Sequence, residues 1–424
     1  MPPFSLFPPV QNLLPIETYR VIDPPVSLRP NIVQTKANQR PNERAAMNEL
    51  FQKLAADFES GGIAATLATA EQQLRKEKRF HELFEILKMR DRQQQGLPLL
   101  HRDDVKTTES QQRQLEDGLI KACNDVGFAL LDDGQIQESW VYLRHLNDSD
   151  AVLEKLQAVK ANEENLDQLL GLLLYEGLDP AAGYAMVLEH YGTCNAITTM
   201  QQTMYGRPRE QRQATGQLLV AHVHNELLEN VKSHVQREEN ESPGENRLVA
   251  VMAKRDYLFA DGAYHIDTSH LSSTIQIATE LTDSESVELA LDMARYGEKL
   301  DEGLRYPGDP PFEDLYPTSA KFFAAQLGQD VDESVAHFRK RAEETDAHQE
   351  GTFAIETYID LLSRVGKPTE AMQATVELIP QGIQTTGRAP SFYDLSEQMK
   401  SFDRYRELCA ERDDLLGYVI SLGK

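Results

Sequence analysis

The chain has 424 residues, of which 40% are hydrophobic and 26% are charged, and this composition predicts a soluble globular protein. It carries 43 Lys and Arg against 68 Asp and Glu, and the net charge of −25 argues against general binding to nucleic acid or anionic lipid, which both need a basic surface. The simplest interpretation of this negative charge is that it keeps the protein soluble. The alternative is that the protein recognises a basic partner.

The cysteine content and the distribution of apolar residues bear on the compartment. The three cysteines, Cys123, Cys194 and Cys409, are far apart and have no CxxC spacing, so we expect a reducing compartment without a disulfide framework. No apolar run approaches the roughly 18 residues that a membrane span needs. The first residues, MPPFSLFPPV, lack the basic start and continuous apolar segment of a signal peptide. The sequence therefore predicts a cytoplasmic protein.

Residues 1–40 form a proline-rich segment. Proline at this density prevents helix and favours extended or polyproline II chain. Two interpretations stay open: a disordered tail, or a tail that lies along the folded body or in a partner's groove. The second rests on apolar residues that most disordered tails lack. These are Phe4, Phe7, Leu13, Leu14, Ile16 and Tyr19.

From Asn42 the apolar spacing predicts helices almost throughout. Residues 42–58 and 63–76 are predicted as a pair separated by Gly61-Gly62. A third predicted helix contains the apolar residues from Phe80 to Leu87, and Gln93-Gln94-Gln95-Gly96 and Pro98 mark its end. Residues 124–146 predict a hairpin, because Asp132-Asp133-Gly134 interrupts an apolar stripe that then resumes. The sequence contains no run of alternating β-branched residues long enough to predict a β-sheet.

The remaining chain continues as paired helices with two interruptions. A polar linker is predicted at 238–246, and a proline- and aromatic-rich loop at 301–317. We therefore divide the chain into a tail, an N-terminal helical part, a part containing both interruptions, and C-terminal hairpins. These four segments are 1–40, 41–240, 241–317 and 318–424. The further predicted helices are 149–160, 164–175, one starting at Asp179, 208–239, 247–259, 269–281 and 285–300.

A turn pattern recurs along the chain. A glycine ends one helix, the next begins about two residues later, and a small residue five positions after the glycine allows close helix approach. The repeat-turn residues are Gly134, Glu138 and Ser139; Gly366, Glu370 and Ala371; and, in a looser copy, Gly177.

The stretches LLSRVGKPTEAMQATVELIP and FALLDDGQIQESWVYLRHL resemble the tetratricopeptide repeat (TPR). This resemblance implies an all-α, right-handed solenoid of helical hairpins whose concave groove binds a peptide or protein. The marker glycines are spaced 43 residues from Gly134 to Gly177 and 38 residues from Gly328 to Gly366, against a family period of about 34. The early Trp-Leu-Gly-Tyr part of the signature is absent, so the repeats are irregular and no ligand residues carry over.

One group of residues suggests metal chemistry. His222, His265, Asp267 and His270 offer imidazole and carboxylate ligands, which could hold zinc or another divalent metal and activate a water for hydrolysis. The structural alternative is that Asp267 or Ser269 caps the helix at 269–281 and that the histidines bond nearby turn carbonyls.

No nucleotide-binding, metalloprotease or nucleophile-elbow motif is present, so we assign no catalytic or cofactor-binding residue and no cofactor. The sequence predicts a non-enzymatic protein–protein interaction scaffold. The first alternative is a metal-dependent hydrolase using the cluster around 222–226 and 265–270. The second is a self-associating structural protein.

Overall fold

The computed structural model describes residues 41–146, 149–204 and 206–424. Within these ranges the protein is all-helical, without a β-strand, and successive helices pack as neighbouring pairs, which confirms the predicted all-α class. The predicted proline-rich segment 1–40 lies outside the described residues. The α-helices are α1 (Pro41–Lys76), α2 (Phe80–Gln94), α3 (Glu109–Asp132), α4 (Ile136–Leu143), α5 (Ser149–Gln157), α6 (Leu166–Leu170), α7 (Pro180–Thr203), α8 (Arg209–Glu239), α9 (Leu248–Met252), α10 (Thr268–Ala278), α11 (Ser284–Gly297), α12 (Leu315–Gln326), α13 (Val331–Glu344), α14 (Phe353–Arg364), α15 (Pro368–Leu378), α16 (Phe392–Met399), α17 (Asp403–Glu411) and α18 (Leu415–Leu422).

The chain divides into two compact units, with the boundary between Gln168 and Leu169, inside α6. The N-terminal unit comprises residues up to 168 and the C-terminal unit the rest. This division lies within the predicted segment 41–240, and not at residue 240 or 317. The reason is that α8 packs on α9, α10 and α11 across the first interruption, and α11 packs on α12 across the second.

In the N-terminal unit, α1 is a helical hairpin in itself. Its two arms meet at Gly62, whose φ of 67° and ψ of −164° break the helix where the sequence predicts two helices. Thr69 donates a hydrogen bond to Asp57 across the arms (Oγ1–Oδ2 2.7 Å). The arms therefore fold back on each other and lead into α2.

The core of this unit lies between α2, α3 and α4. Leu83, Val126 and Leu130 are fully buried there. Gly127 allows close approach of α4, because a Cβ at that position would lie 2.5 Å from Leu143 Cδ2. Gly134, with φ of 79°, follows the end of α3 and reverses the chain, as the sequence predicts.

In the C-terminal unit, α8 is the central element. Its apolar residues recur every four positions and form a stripe that is completely buried against α7, α10 and α11. This stripe consists of Leu219, Val223, Leu227, Val231 and Val235.

Side chains fix both interruptions to the body of this unit. Arg255 donates hydrogen bonds to Glu239 and Glu245 at the ends of the polar linker (Nε–Oε1 2.8 Å, Nη1–Oε1 3.2 Å). In the loop before α12, Phe312 is buried and contacts the rings of Phe322 and Phe338, with centroids 5.6 Å apart in both cases. The helix predicted at 247–259 is shorter than expected, and α9 ends at Met252.

Buried carboxylates on α14 hold the irregular segment between α15 and α16. Glu356 accepts hydrogen bonds from the backbone N–H groups of Thr386 and Arg388 (2.7 and 2.9 Å). Asp360 lies 2.6 Å from the Arg364 guanidinium. Arg388 in turn donates to the carbonyl oxygen of Thr279 (2.9 Å) and lies over the Phe353 ring. This segment is therefore fixed by desolvated polar contacts.

Candidate functional site

The structure places His222 on α8, beside α7. Its Nε2 lies 3.1 Å from Thr193 Oγ1, and the same hydroxyl donates to Glu226 Oε2 (3.3 Å). His222 and Glu226 thus share one face of the helix, as their spacing predicts. The residue that joins them is a threonine hydroxyl on α7, which sequence reasoning did not identify.

His265 lies in a different environment, within a chain of hydrogen bonds. Its backbone N–H donates to Tyr296 Oη (2.8 Å), and its Nδ1 lies 3.0 Å from the same oxygen. Its Nε2 lies 2.8 Å from His234 Nδ1. His265 is thus hydrogen-bonded to Tyr296 Oη at Nδ1 and to His234 at Nε2, and its tautomer sets which atom of each pair donates.

The same surroundings keep the His265 imidazole neutral. Burial, then the neighbouring His234 and Arg237 charges, lower its pKa to about 4. With Tyr296 Oη at Nδ1 and His234 Nδ1 at Nε2, both ring nitrogens of His265 already have hydrogen-bond partners. His265 therefore serves as a structural link between α8 and α11.

Asp267 caps α10. Its Oδ1 accepts from the backbone N–H of Ser269 (2.8 Å) and of His270 (3.4 Å), and these hydrogen bonds, with that from the Ser269 hydroxyl, lower the pKa of the carboxyl. In the part of the chain that the structure describes, no three His, Cys, Asp or Glu residues are grouped to hold a metal ion. His222, His265, Asp267 and His270 are thus not assembled into the predicted zinc site.

The repeat-turn residues lie at three helix–helix turns. Gly134, Gly177 and Gly366 have left-handed φ values of 79°, 84° and 78°. Ser139 and Ala371, five positions after two of these glycines, are fully buried, whereas Glu138 and Glu370 are exposed. In these two turns the small residue therefore faces the preceding helix and the glutamate faces solvent.

A feature that sequence reasoning missed lies on α18, the eight-residue helix LLGYVISL. Five aliphatic side chains are more than half exposed along this helix. At about 100° per residue, their positions cover an arc of roughly 160° of its circumference. The exposed fractions are 72% for Leu415, 76% for Leu416, 58% for Val419, 51% for Ile420 and 61% for Leu422. We call these five residues the α18 face.

The opposite side of α18 explains why the large residues point outward. Gly417 and Ser421 are buried against α17, and a Cβ at Gly417 would lie 2.7 Å from Tyr405 Oη and 2.8 Å from Cys409 Sγ. Asp414 caps the helix by accepting from the Gly417 N–H (2.9 Å). The helix therefore buries its smallest residues and exposes its aliphatic ones, the reverse of an ordinary surface helix.

The α18 face is a continuous apolar patch. Other exposed large apolar residues of the C-terminal unit, such as Tyr175, Tyr264 and Tyr306, are far apart in sequence and lie on different elements. Isolated exposed apolar residues are normal in proteins, whereas a contiguous patch marks an interaction surface. The signal in the sequence was the run without charged residues after Asp414, with Gly417 and Ser421 one turn apart.

None of the helices in the described ranges is long and apolar enough to cross a membrane. No family model matches the chain, and no curated protein and no solved structure is detectably similar to it.

Proposed function

We propose that this protein is a non-enzymatic protein-binding scaffold, and that the α18 face is a docking surface for an amphipathic helix of a partner protein. The observation that carries the proposal is the exposure of five adjacent aliphatic side chains on a helix without a charged residue. We further propose that the paired helices form an irregular, right-handed TPR-like solenoid. In such a fold each hairpin packs on its neighbours.

The size of the apolar surface is adequate for this role. Fully burying one aliphatic side chain contributes about 1.5–3 kcal/mol, so covering the exposed parts of five contributes roughly 5 kcal/mol. A micromolar complex needs about 8 kcal/mol after its ordering costs. The α18 face can therefore supply a large share of a moderate affinity, and polar contacts around it would supply the rest.

The charges around α18 favour a basic partner. Asp413 is exposed next to the helix, and Glu411 is paired with Arg404 (3.3 Å). The basic groups near α18 are paired too: Arg406 donates to the carbonyl oxygen of Ser421 (3.1 Å) and pairs with Asp403 (3.2 Å), and Lys424 pairs with Glu397 (2.9 Å). The whole chain carries a net charge of −25. A partner helix with lysine or arginine beside its apolar face would complement this net negative charge, and its binding would weaken as salt rises.

The test uses the full chain and a fluorescent designed peptide that forms an amphipathic helix with a leucine face flanked by lysines. We expect saturable binding by anisotropy, weakened at least tenfold by Leu416→Glu and weakened also by added salt. Leu100→Glu is the matched control, because Leu100 is 66% exposed in the N-terminal unit, and it should not change binding. Equal binding by the two variants contradicts the proposal.

A photo-crosslinking residue at Val419 then identifies the occupant in the cells that contain the protein. We expect one adduct that disappears in the Leu416→Glu variant. An adduct of twice the mass of this chain would mean that a second copy covers α18, and would overturn the partner proposal in favour of self-association. The reducing, cytoplasmic location stays a prediction, which rests on three unpaired cysteines.

A further inference from the structure

A cleft lies beside the irregular segment between α15 and α16, in the C-terminal unit. Its volume is about 810 Å³, within the range of roughly 300–1,000 Å³ that is usual for small-molecule sites. The segment that forms one wall is fixed, because Glu356 of α14 accepts hydrogen bonds from its backbone and Arg388 donates to Thr279. The cleft is therefore formed before any ligand binds.

Apolar side chains make up much of the lining. Each of them is half-buried, so a ligand that covers them removes further apolar surface from water. The proline rings and the phenylalanine are rigid, and a planar ring can pack on them without ordering a flexible side chain. The lining therefore favours an aromatic ligand. These residues are Ile379, Pro380, Ile383, Ala389, Pro390 and Phe392.

Three ionisable side chains line the cleft, and two of them are carboxylates that already have hydrogen-bond donors. Glu356 accepts from two backbone N–H groups of the irregular segment and from the Thr352 hydroxyl (2.6 Å). Asp394 accepts from the N–H and the hydroxyl of Ser391 (2.9 and 2.7 Å) at the start of α16. Both carboxylates thus hold the fold together.

Arg412, the third ionisable side chain, has no such partner. It is half-buried, and its guanidinium lies over the Phe392 ring, 4.9 Å from the ring centroid. Among the described residues no carboxylate lies within ion-pair distance of this guanidinium. Stacking occupies the face of the guanidinium and leaves its N–H donors, which lie in the plane of the group, available. The charge that the cleft lacks is therefore an anion at Arg412.

We propose that the cleft binds a small aromatic carboxylate, whose carboxylate group pairs with Arg412 and whose ring covers the apolar lining. A carboxylate matches the guanidinium fork and can accept two parallel hydrogen bonds from it. A phosphate group is a poorer match, because it carries a charge of about −1.5 to −2 at pH 7 and the cleft has one cation beside two carboxylates. The cleft shares no residue with the α18 face, and either proposal can fail without the other.

The test uses the full chain and two probes that differ in one group, a fluoronaphthoate and its neutral carboxamide, with binding followed by fluorine NMR of the probe. We expect the acid to bind at least fivefold more tightly than the amide, because the acid alone can pair with Arg412. Arg412→Gln should remove this preference and leave the affinity for the amide within twofold. Arg404→Gln is the matched control, since Arg404 lies on α17, pairs with Glu407 and Glu411 (2.9 and 3.3 Å) and is not part of the lining.

Leu416→Glu separates the cleft from the α18 face, to which an apolar probe could also bind. Binding in the cleft should be unchanged in this variant, and loss of the acid's binding would assign the probe to the α18 face and overturn the proposal. The comparison of acid and amide on the unaltered chain needs no variant. Equal affinities for the two probes, no binding of the acid at millimolar concentration, or a preference for the acid that survives Arg412→Gln would each overturn the proposal.

Discussion

The hairpins α3–α4 and α17–α18 are built from the same parts and use them in opposite ways. In both, a turn with a left-handed residue joins two helices, and a glycine permits close approach: Gly127 in the first and Gly417 in the second. In the first hairpin the large residues Leu130 and Leu143 are buried next to the small ones. In the second, the small residues form the interface and the large ones face solvent. Close helix packing is therefore compatible with a closed core or with an open surface, and the placement of the large residues distinguishes the two.

The largest effect should come from removing a buried side chain from the α3–α4 hairpin. Leu130→Ala removes a fully buried side chain, and we expect the free energy of unfolding of the N-terminal unit to fall by about 3 kcal/mol. The single tryptophan, Trp140 on α4, reports this unit alone in urea unfolding. Ile120→Ala on the same helix is the control, because Ile120 is 54% exposed and should change stability by less than about 0.5 kcal/mol. Equal losses in the two variants would contradict the contrast.

An effect of intermediate size should come from protonating His265, which links α8 and α11. His265 has a pKa of about 4 in the folded protein and 6.5 as the reference value, so the folded state binds fewer protons between these values. The contribution of neutral His265 to the free energy of unfolding is complete above pH 6.5 and is lost as the pH falls towards 4. The total loss should be about 2–3 kcal/mol. Hydrogen exchange of α8 and α11 at pH 7, 6 and 5 measures the loss. His265→Gln should flatten this dependence, and His222→Gln should leave it unchanged.

The smallest effect should be local to the open hairpin. Gly417→Ala introduces a methyl group against Tyr405 and Cys409, and we expect α18 to be loosened by about 1–2 kcal/mol. Faster hydrogen exchange confined to α18, with weaker binding of the designed peptide, is the expected result. Gly423→Ala serves as the comparison variant, since its Cβ would meet nothing closer than 3.5 Å. Loosening that spreads to α14 would show that α18 is part of the closed core.

Local patterns made much of this fold predictable. The stripe of α8 and the turns at Gly134 and Gly366 depend on residues three to five positions apart, which the sequence shows directly. The division inside α6 was not predictable in this way, because it depends on which distant helices contact each other. The helical spacing correctly related His222 to Glu226, but it could not show that His265 faces His234 and Tyr296. For α18, the spacing of Gly417 and Ser421 marks one side of a helix without charged residues, but only their tertiary contacts show that this side is the buried one.

The polar contacts of Glu356 have a practical consequence for protein engineering. Residues 380–391 have no regular secondary structure, and a surface loop of this kind is the usual place for an inserted tag or new chain termini. Here the N–H groups of Thr386 and Arg388 donate to the buried Glu356 carboxyl group, which also accepts from the Thr352 hydroxyl, so opening the segment would remove two of its donors. Insertions belong instead near Tyr306, because residues 305–307 are exposed.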